Sequence, residues 1–265
     1  MPLAYKIRPY KSSDHSQLRA LVYDGFATSP GSIGVVALER IRTQPPSLIA
    51  YTSILTGALL LCARALRLVS TPALTRNSNL TTVGTSLSLV AIGVTLLGAI
   101  RVAVNRSVRD FCEETLRTDL GDVDAHYAAS GGGFWVAVRA RSEDDDSAVE
   151  RQEEEILGCV GLQHNPATHN AEIRRMMVLS STRRNGIARA LMAVALAHAD
   201  GMPALALEYV YLGTTDMQMP AQRLYEQLGF VAVRERRIGV WAGGTTSREY
   251  RRGRLAGAGE AVSVA

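Results

Sequence analysis

Two long stretches without a charged side chain limit the fold more than any other feature of this 265-residue chain. Residues 43–63 carry no Asp, Glu, Lys or Arg, and neither do residues 77–100. At 1.5 Å per residue, residues 80–100 would extend roughly 31 Å as a helix, which matches a hydrocarbon core of about 30 Å. The first stretch is shorter, ending at Arg64, and an arginine near a helix end can snorkel to the interface. Between them the run STPALTRNSN is rich in turn formers. The pair therefore predicts a helical hairpin that enters and leaves a membrane on one side. Two buried core helices are the alternative reading of the same pattern. Five arginines flank the hairpin (Arg40, Arg42, Arg101, Arg106, Arg109) and three lie in or beside its turn (Arg64, Arg67, Arg76). That bias favours both ends on the cytoplasmic side.

Around the hairpin the pattern is mixed α/β. YKIRPY reads as a strand, and Ser13 or Asp14 can cap the helix after it. After the hairpin, residues 108–129 have helical spacing, the glycines at 131–133 break it, and FWVAVRA reads as a strand. The acidic run 142–155 reads as a solvated loop rather than a metal site. ILGCVGLQHN is the returning strand and AEIRRMMVL the next, followed by a turn and the helix ARALMAVALAHAD. ALALEYVYL, PAQRLYEQLG and FVAVRERRI then give strand, helix and strand, with Pro220 in the first turn of that helix and Gly229 closing it.

Composition excludes several classes. At 47% hydrophobic and 20% charged the chain is too apolar to be disordered. Cys62, Cys112 and Cys159 show no metal or disulfide spacing, and neither do His164, His169 and His198, so no metal is expected. The net charge of +4 arises entirely after residue 230, where seven Arg stand against three Glu. That reads as a flexible basic tail over 241–265. No groove-reading motif accompanies it, so no nucleic-acid partner is expected.

The chemically informative segment joins a strand to a helix at Arg183, Arg184, Asn185, Gly186, Ile187 and Ala188. A helix N-terminus presents unpaired amides and the positive end of the helix dipole, a ready site for phosphate oxygens. Gly186 and Ala188 leave room for close approach, while RxxGxA alone is also compatible with an ordinary helix start.

Residues 171–192, AEIRRMMVLSSTRRNGIARALM, resemble the acetyl-CoA-binding motif of the GNAT superfamily of N-acetyltransferases, [QR]xxGx[GA] after a strand. AQRLYEQLGF matches that superfamily's AxxLYxxxGF, and IRPYKSSDHSQLRAL resembles its first strand and helix. The hairpin between that helix and the rest makes the chain similar to the camello-like branch, home of cysteine S-conjugate N-acetyltransferases and N-acetylaspartate synthetase. The resemblance implies a GNAT-like mixed sheet flanked by helices with an inserted two-helix membrane hairpin. The expected organisation is the first strand and helix over 1–45, the hairpin over 46–104, the main acetyltransferase domain over 105–240, and the tail.

The resemblance further implies acetyl transfer from acetyl-CoA to a primary amine of a small amino-acid-like substrate by direct attack. Protein lysine acetylation, or a non-catalytic CoA-binding module, are the alternatives. By position, Met177 and Val178 would contact the pantetheine arm and thioester, and Arg183 to Ala188 the pyrophosphate. Glu172 would be the general base or a structural ion-pair residue, and Tyr225 the acid for the leaving thiolate or a packing residue. Arg174 and Arg175, adjacent on a strand, are expected on opposite faces, one of them available to a substrate carboxylate. Membrane lipid would contact the hairpin, with the endoplasmic reticulum as a candidate compartment and the catalytic domain cytoplasmic.

Overall fold

The computed structural model describes residues 3–70, 76–140, 154–202, 207–238 and 244–253. Most of the acidic run, the centre of the hairpin turn (71–75) and the end of the basic tail lie outside them.

The chain opens with β1 (Tyr5–Pro9) and α1 (His15–Tyr23), then forms a helix that the sequence reading lacks, α2 (Ile33–Ile41). Ser32 caps α2 by accepting from the Val35 amide. The hairpin follows as α3 (Pro45–Ser70) and α4 (Arg76–Arg117). α4 is one 42-residue helix, so the expected boundary at 104/105 falls inside it. No Gly or Pro interrupts 99–117, and nothing there stops a helix from propagating. The helix expected over 108–129 instead breaks at Gly121 and restarts as α5 (Val123–Ala128), where the Asp122 carboxylate accepts from the Ala125 amide at 2.9 Å.

The two long helices meet through small residues. A side chain at Gly57 would run into the Ser86 carbonyl at 2.6 Å, and one at Gly93 into Ile54 and the Ala50 carbonyl at 2.5 and 2.6 Å. Ser53 Oγ donates across the interface to the Leu89 carbonyl at 2.8 Å. Close backbone approach over small residues is how helices associate where no hydrophobic effect drives them together. The outer faces carry exposed Leu48, Leu55, Leu59, Leu87, Ile92 and Val94. Pro45–Leu66 and Thr81–Arg117 are long and apolar enough to cross a membrane, and neither is mostly buried as a core helix would be.

The remaining elements are β2 (Gly133–Arg139), β3 (Ile156–Asn165), β4 (Asn170–Val178), α6 (Ile187–Gly201), β5 (Tyr209–Thr215), α7 (Met219–Gln227), β6 (Val231–Ile238) and β7 (Thr245–Gly253). The strand expected over 204–212 is β5 over Tyr209–Thr215, residues 204–206 lying outside the described ones. The seven strands form one sheet in the order β1-β2-β3-β4-β5-β7-β6, antiparallel except for β4 and β5, which run parallel.

The basic tail is corrected by β7, which inserts between β5 and β6. Its Tyr250 is buried and reaches Glu226 of α7, while Arg248 and Arg251 pair with Glu235 and Glu249. One core lies on the α6 side of the sheet (Leu157, Ile173, Leu191, Leu212, Tyr225). The other lies under α1 and the end of α4 (Leu18, Cys112, Leu116, Val136, Met177).

Candidate active site

β4 and β5 pair only from Asn170↔Tyr209 to Ile173↔Leu212, although both strands continue. Beyond that point the sheet opens, and two cavities occupy the gap. The larger, about 570 Å³, is lined by Met176, Val178, Arg184, Gly186, Ala188 and Leu224, among others. The smaller, about 290 Å³, is lined by Glu172, Arg174, Arg175, Thr214, Tyr225 and Phe111, among others. Phe26, Met176 and Gln218 border both, so the two spaces meet there.

The larger cavity ends at the head of α6. Ser180–Thr182 forms one 3-10 turn, and Asn185 Nδ2 donates to the Thr182 carbonyl at 3.0 Å. Arg184 (φ 67°) and Gly186 (φ 79°) are both left-handed and flank Asn185, turning the chain sharply into the helix. The first-turn amides of α6 have no intrahelical acceptor. The reason for glycine at 186 is its left-handed φ, since a Cβ there would meet only the Tyr5 hydroxyl, at 3.6 Å. Ala188 keeps the wall low. The Arg183 guanidinium is turned to the other flank, donating to the Pro30 carbonyl at 2.8 Å and Ser29 Oγ at 3.0 Å. It borders the cavity while bracing the segment before α2, and Arg184 and Arg189 line the same cavity with less protein around them.

These residues fit a ligand with a diphosphate at one end and a long, weakly polar arm. Amides and guanidinium groups gather at the head of α6, and Met176, Val178, Pro220 and Leu224 line the way inward. Met177, expected to serve the arm through its backbone, also lines the larger cavity, while its side chain is buried in the core under α1 and the end of α4. Met176, which the sequence reading passed over, stands where the cavities join. No spacing rule could single it out, because its place depends on a bulge.

In that bulge β4 holds one residue more than β3: Cys159 faces Met177 and Gly161 faces Arg174. Arg175 takes φ 53°, a backbone state that costs a non-glycine residue about 1–2 kcal/mol. The extra residue breaks the alternation of the strand and corrects the expectation that Arg174 and Arg175 face opposite ways. Both border the smaller cavity and both pull down the Asp119 carboxyl. Arg175 Nε and Nη2 donate to the two Asp119 oxygens at 2.7 and 2.6 Å, and the Tyr127 hydroxyl donates to the same carboxylate at 2.7 Å. Arg175, the Tyr127 hydrogen bond and Arg174 overcome the cost of burial and hold Asp119 at about 2. Arg174 is more exposed and donates to Gln163 Oε1 at 2.8 Å.

Glu172 sits in the smaller cavity with Arg174 Nε 3.8 Å away and the Tyr211 hydroxyl at 3.4 Å, so it is only loosely held. Tyr225 lines the same cavity from α7 and packs against Phe230 and Tyr250. Burial pushes its phenol well above the usual tyrosine value. The structure thus brings Glu172 and Tyr225 to one cavity and Met177, Val178, Arg183, Arg184, Gly186, Ile187 and Ala188 to the adjoining one, with Asn185 in the turn beside it. No cluster of His, Cys, Asp and Glu able to hold a metal ion occurs among the described residues.

Residues 103–230 match the family described as Acetyltransferase (GNAT) family. N-acetylaspartate synthetase of Danio rerio is 33% identical over 143 residues, covering 53% of this chain and 44% of that protein. N-acetylaspartate synthetase of Homo sapiens is 28% identical over 227 residues, covering 84% of this chain and 61% of that protein. N-acetyltransferase 8B of Homo sapiens is 27% identical over 243 residues, covering 90% and 89%. The match thus spans less than two thirds of the length of either synthetase.

Proposed function

We propose that residues 103–230, which match the family described as Acetyltransferase (GNAT) family, form an acetyltransferase domain, and from that premise that the chain moves acetyl from acetyl-CoA to the primary amine of a small amino-acid-like substrate. The observation that carries this reading is the parting of β4 from β5 after Ile173↔Leu212, with one cavity on each side of Met176. Two reactants can enter from opposite sides and meet, which replaces a bimolecular encounter by a positioned one.

When bound, acetyl-CoA supplies a thioester whose carbonyl carbon the amine attacks, the C–N bond forming as the C–S bond breaks. The amides at the head of α6, with Arg184 and Arg189, would hold the diphosphate. The apolar wall of Met176, Val178 and Leu224 would hold the arm. An amine is protonated at neutral pH, so a group must take its proton. Glu172, in the amine-side cavity and bound to no tight partner, fills that role, directly or through water. Tyr225 faces the leaving sulfur in this reading. With its pKa raised by burial, full proton transfer to a thiolate of ordinary basicity is uphill, so Tyr225 acts by donating a hydrogen bond while the final proton comes from solvent. Arg174, the more exposed arginine of the pair, is the better candidate for a substrate carboxylate, because Arg175 is taken by Asp119.

The small amino-acid class draws support from the names of the relatives and from the size of the amine-side cavity, about 290 Å³. The two apolar helices support a membrane-held enzyme, and the excess of arginines at the outer ends of the hairpin supports a domain on the cytoplasmic side. Titration calorimetry with acetyl-CoA tests the cofactor half: wild type should bind and Gly186→Trp should not. Mass spectrometry of a free amino-acid panel incubated with acetyl-CoA tests the rest. Binding without product, or product on peptide lysines only, would replace this reading by one of its two alternatives.

A further inference from the structure

Arg175 is, among the described residues, the one strand residue with left-handed backbone, a state that ordinarily selects glycine or asparagine. An arginine there needs a reason, and its side chain supplies one. The guanidinium is about 12% exposed and is gripped at both Nε and Nη2 by a carboxylate that is itself about 1% exposed. Asp119 lies two residues beyond the last turn of α4, and Tyr127 on α5 holds it from the other side. The end of α4 and α5 therefore converge on a single bulged residue of β4. That bulge sits where β4 leaves β5, and the next residue, Met176, borders both cavities.

We propose that Asp119, braced by Tyr127, is a positioning residue for acetyl transfer: by gripping the Arg175 guanidinium it holds the left-handed bulge of β4 and so fixes the backbone at Met176, where the two cavities meet. The proposal rests on the transferase reading given above for what that backbone does. It makes Arg175 a clamp rather than a substrate-binding group, and it ties the end of the long apolar helix α4 to the strand at the site.

The clamp has a signature that ordinary structural support lacks: glycine takes the left-handed state unaided, so Arg175→Gly should make Asp119 dispensable. The test uses the full chain in detergent with acetyl-CoA and whichever of twenty free amino acids turns over fastest. Asp119→Asn should lower kcat about tenfold or more while the KM for acetyl-CoA stays within about twofold, since small misplacement at a reacting centre is costly in rate. Arg175→Gly added to Asp119→Asn should recover most of the lost kcat. Tyr127→Phe, which leaves the ion pair in place, should lower kcat in the same sense by a few-fold and serves if Asp119→Asn does not fold. A double variant no faster than Asp119→Asn, or an Arg175→Gly variant whose main defect is a raised amine KM, overturns the clamp. Amide hydrogen exchange over 174–177 reads the same device without turnover: faster in Asp119→Asn, restored in the double variant. Unchanged exchange refutes the clamp even if the transferase reading stands. Wild type that neither binds acetyl-CoA nor acetylates any amine refutes the transferase reading even if the exchange pattern appears.

Discussion

Glu172 and Tyr225 face the same small cavity from opposite elements, yet their surroundings assign them different tasks. Glu172 is partly exposed and held only by contacts of 3.4 and 3.8 Å, and a loose surface pair of that kind is worth at most about 1 kcal/mol. Glu172→Gln should therefore leave the unfolding midpoint nearly unchanged while lowering kcat/KM by about 10²-fold or more, the range of a lost general base. Equal activity in the variant would make Glu172 a structural partner of Arg174. Asp119 behaves in the opposite way. Its folded-state value of about 2 lies below the ordinary carboxylate value of 3.8, so the pair with Arg175 stabilises the fold fully above about pH 4 and loses that contribution as pH falls through 2. At 1.36 kcal/mol per unit, about 2 kcal/mol is at stake. Unfolding free energies of wild type and Asp119→Asn from urea titration should differ by that order at pH 7 and converge only as pH falls through about 2.

At the scale of elements, the hairpin interface and the head of α6 depend on glycine for different reasons. Gly93 is spatial: a Cβ would lie 2.5 Å from Ile54 Cγ1 and 2.6 Å from the Ala50 carbonyl, so α3 and α4 must separate to admit one. Gly93→Val should lower thermal stability and weaken cysteine cross-linking engineered between positions 53 and 89. Gly186 is conformational, with a φ of 79° and open space around it. Gly186→Ala should cost about 1 kcal/mol of stability and loosen acetyl-CoA several-fold without closing the cleft, whereas the tryptophan variant fills it.

For the molecule as a whole, the arrangement joins an apolar hairpin to a mixed sheet through one unbroken helix. The exposed half of α4 carries Leu87, Ile92 and Val94, and its last turns bury Cys112 and Leu116 in the core and set Phe111 on the rim of the amine-side cavity. Reading the exposed half as a membrane span yields a direct outcome. Wild type should stay with membranes through alkaline carbonate extraction, and Ile92→Arg paired with Leu87→Arg, each costing about 2.5–3.5 kcal/mol near a bilayer centre, should release it. Retention of the double arginine variant would return the hairpin to the role of a soluble appendage.

Local signals sufficed for some of this and failed for the rest. Helical period, the run of uncharged residues, the strand before RRNGIA and the Pro220 and Gly229 punctuation of α7 are properties of neighbouring residues, and the sequence alone determined them. α2 went unread because IGVVALERI is a short apolar run with no unmistakable period, and β7 because its segment is mostly polar, its arginines being paired with glutamates of β6 and of β7 itself. The bulge at Arg175, the place of Met176 between two cavities and the capture of Arg175 by Asp119, 56 residues away in the chain, arise only when α4, α5 and β4 pack together. Local pattern is set by backbone sterics and hydrophobic period acting over a few residues. Which charged group meets which, and where a sheet parts, is decided by contacts between segments that the order of residues does not place side by side.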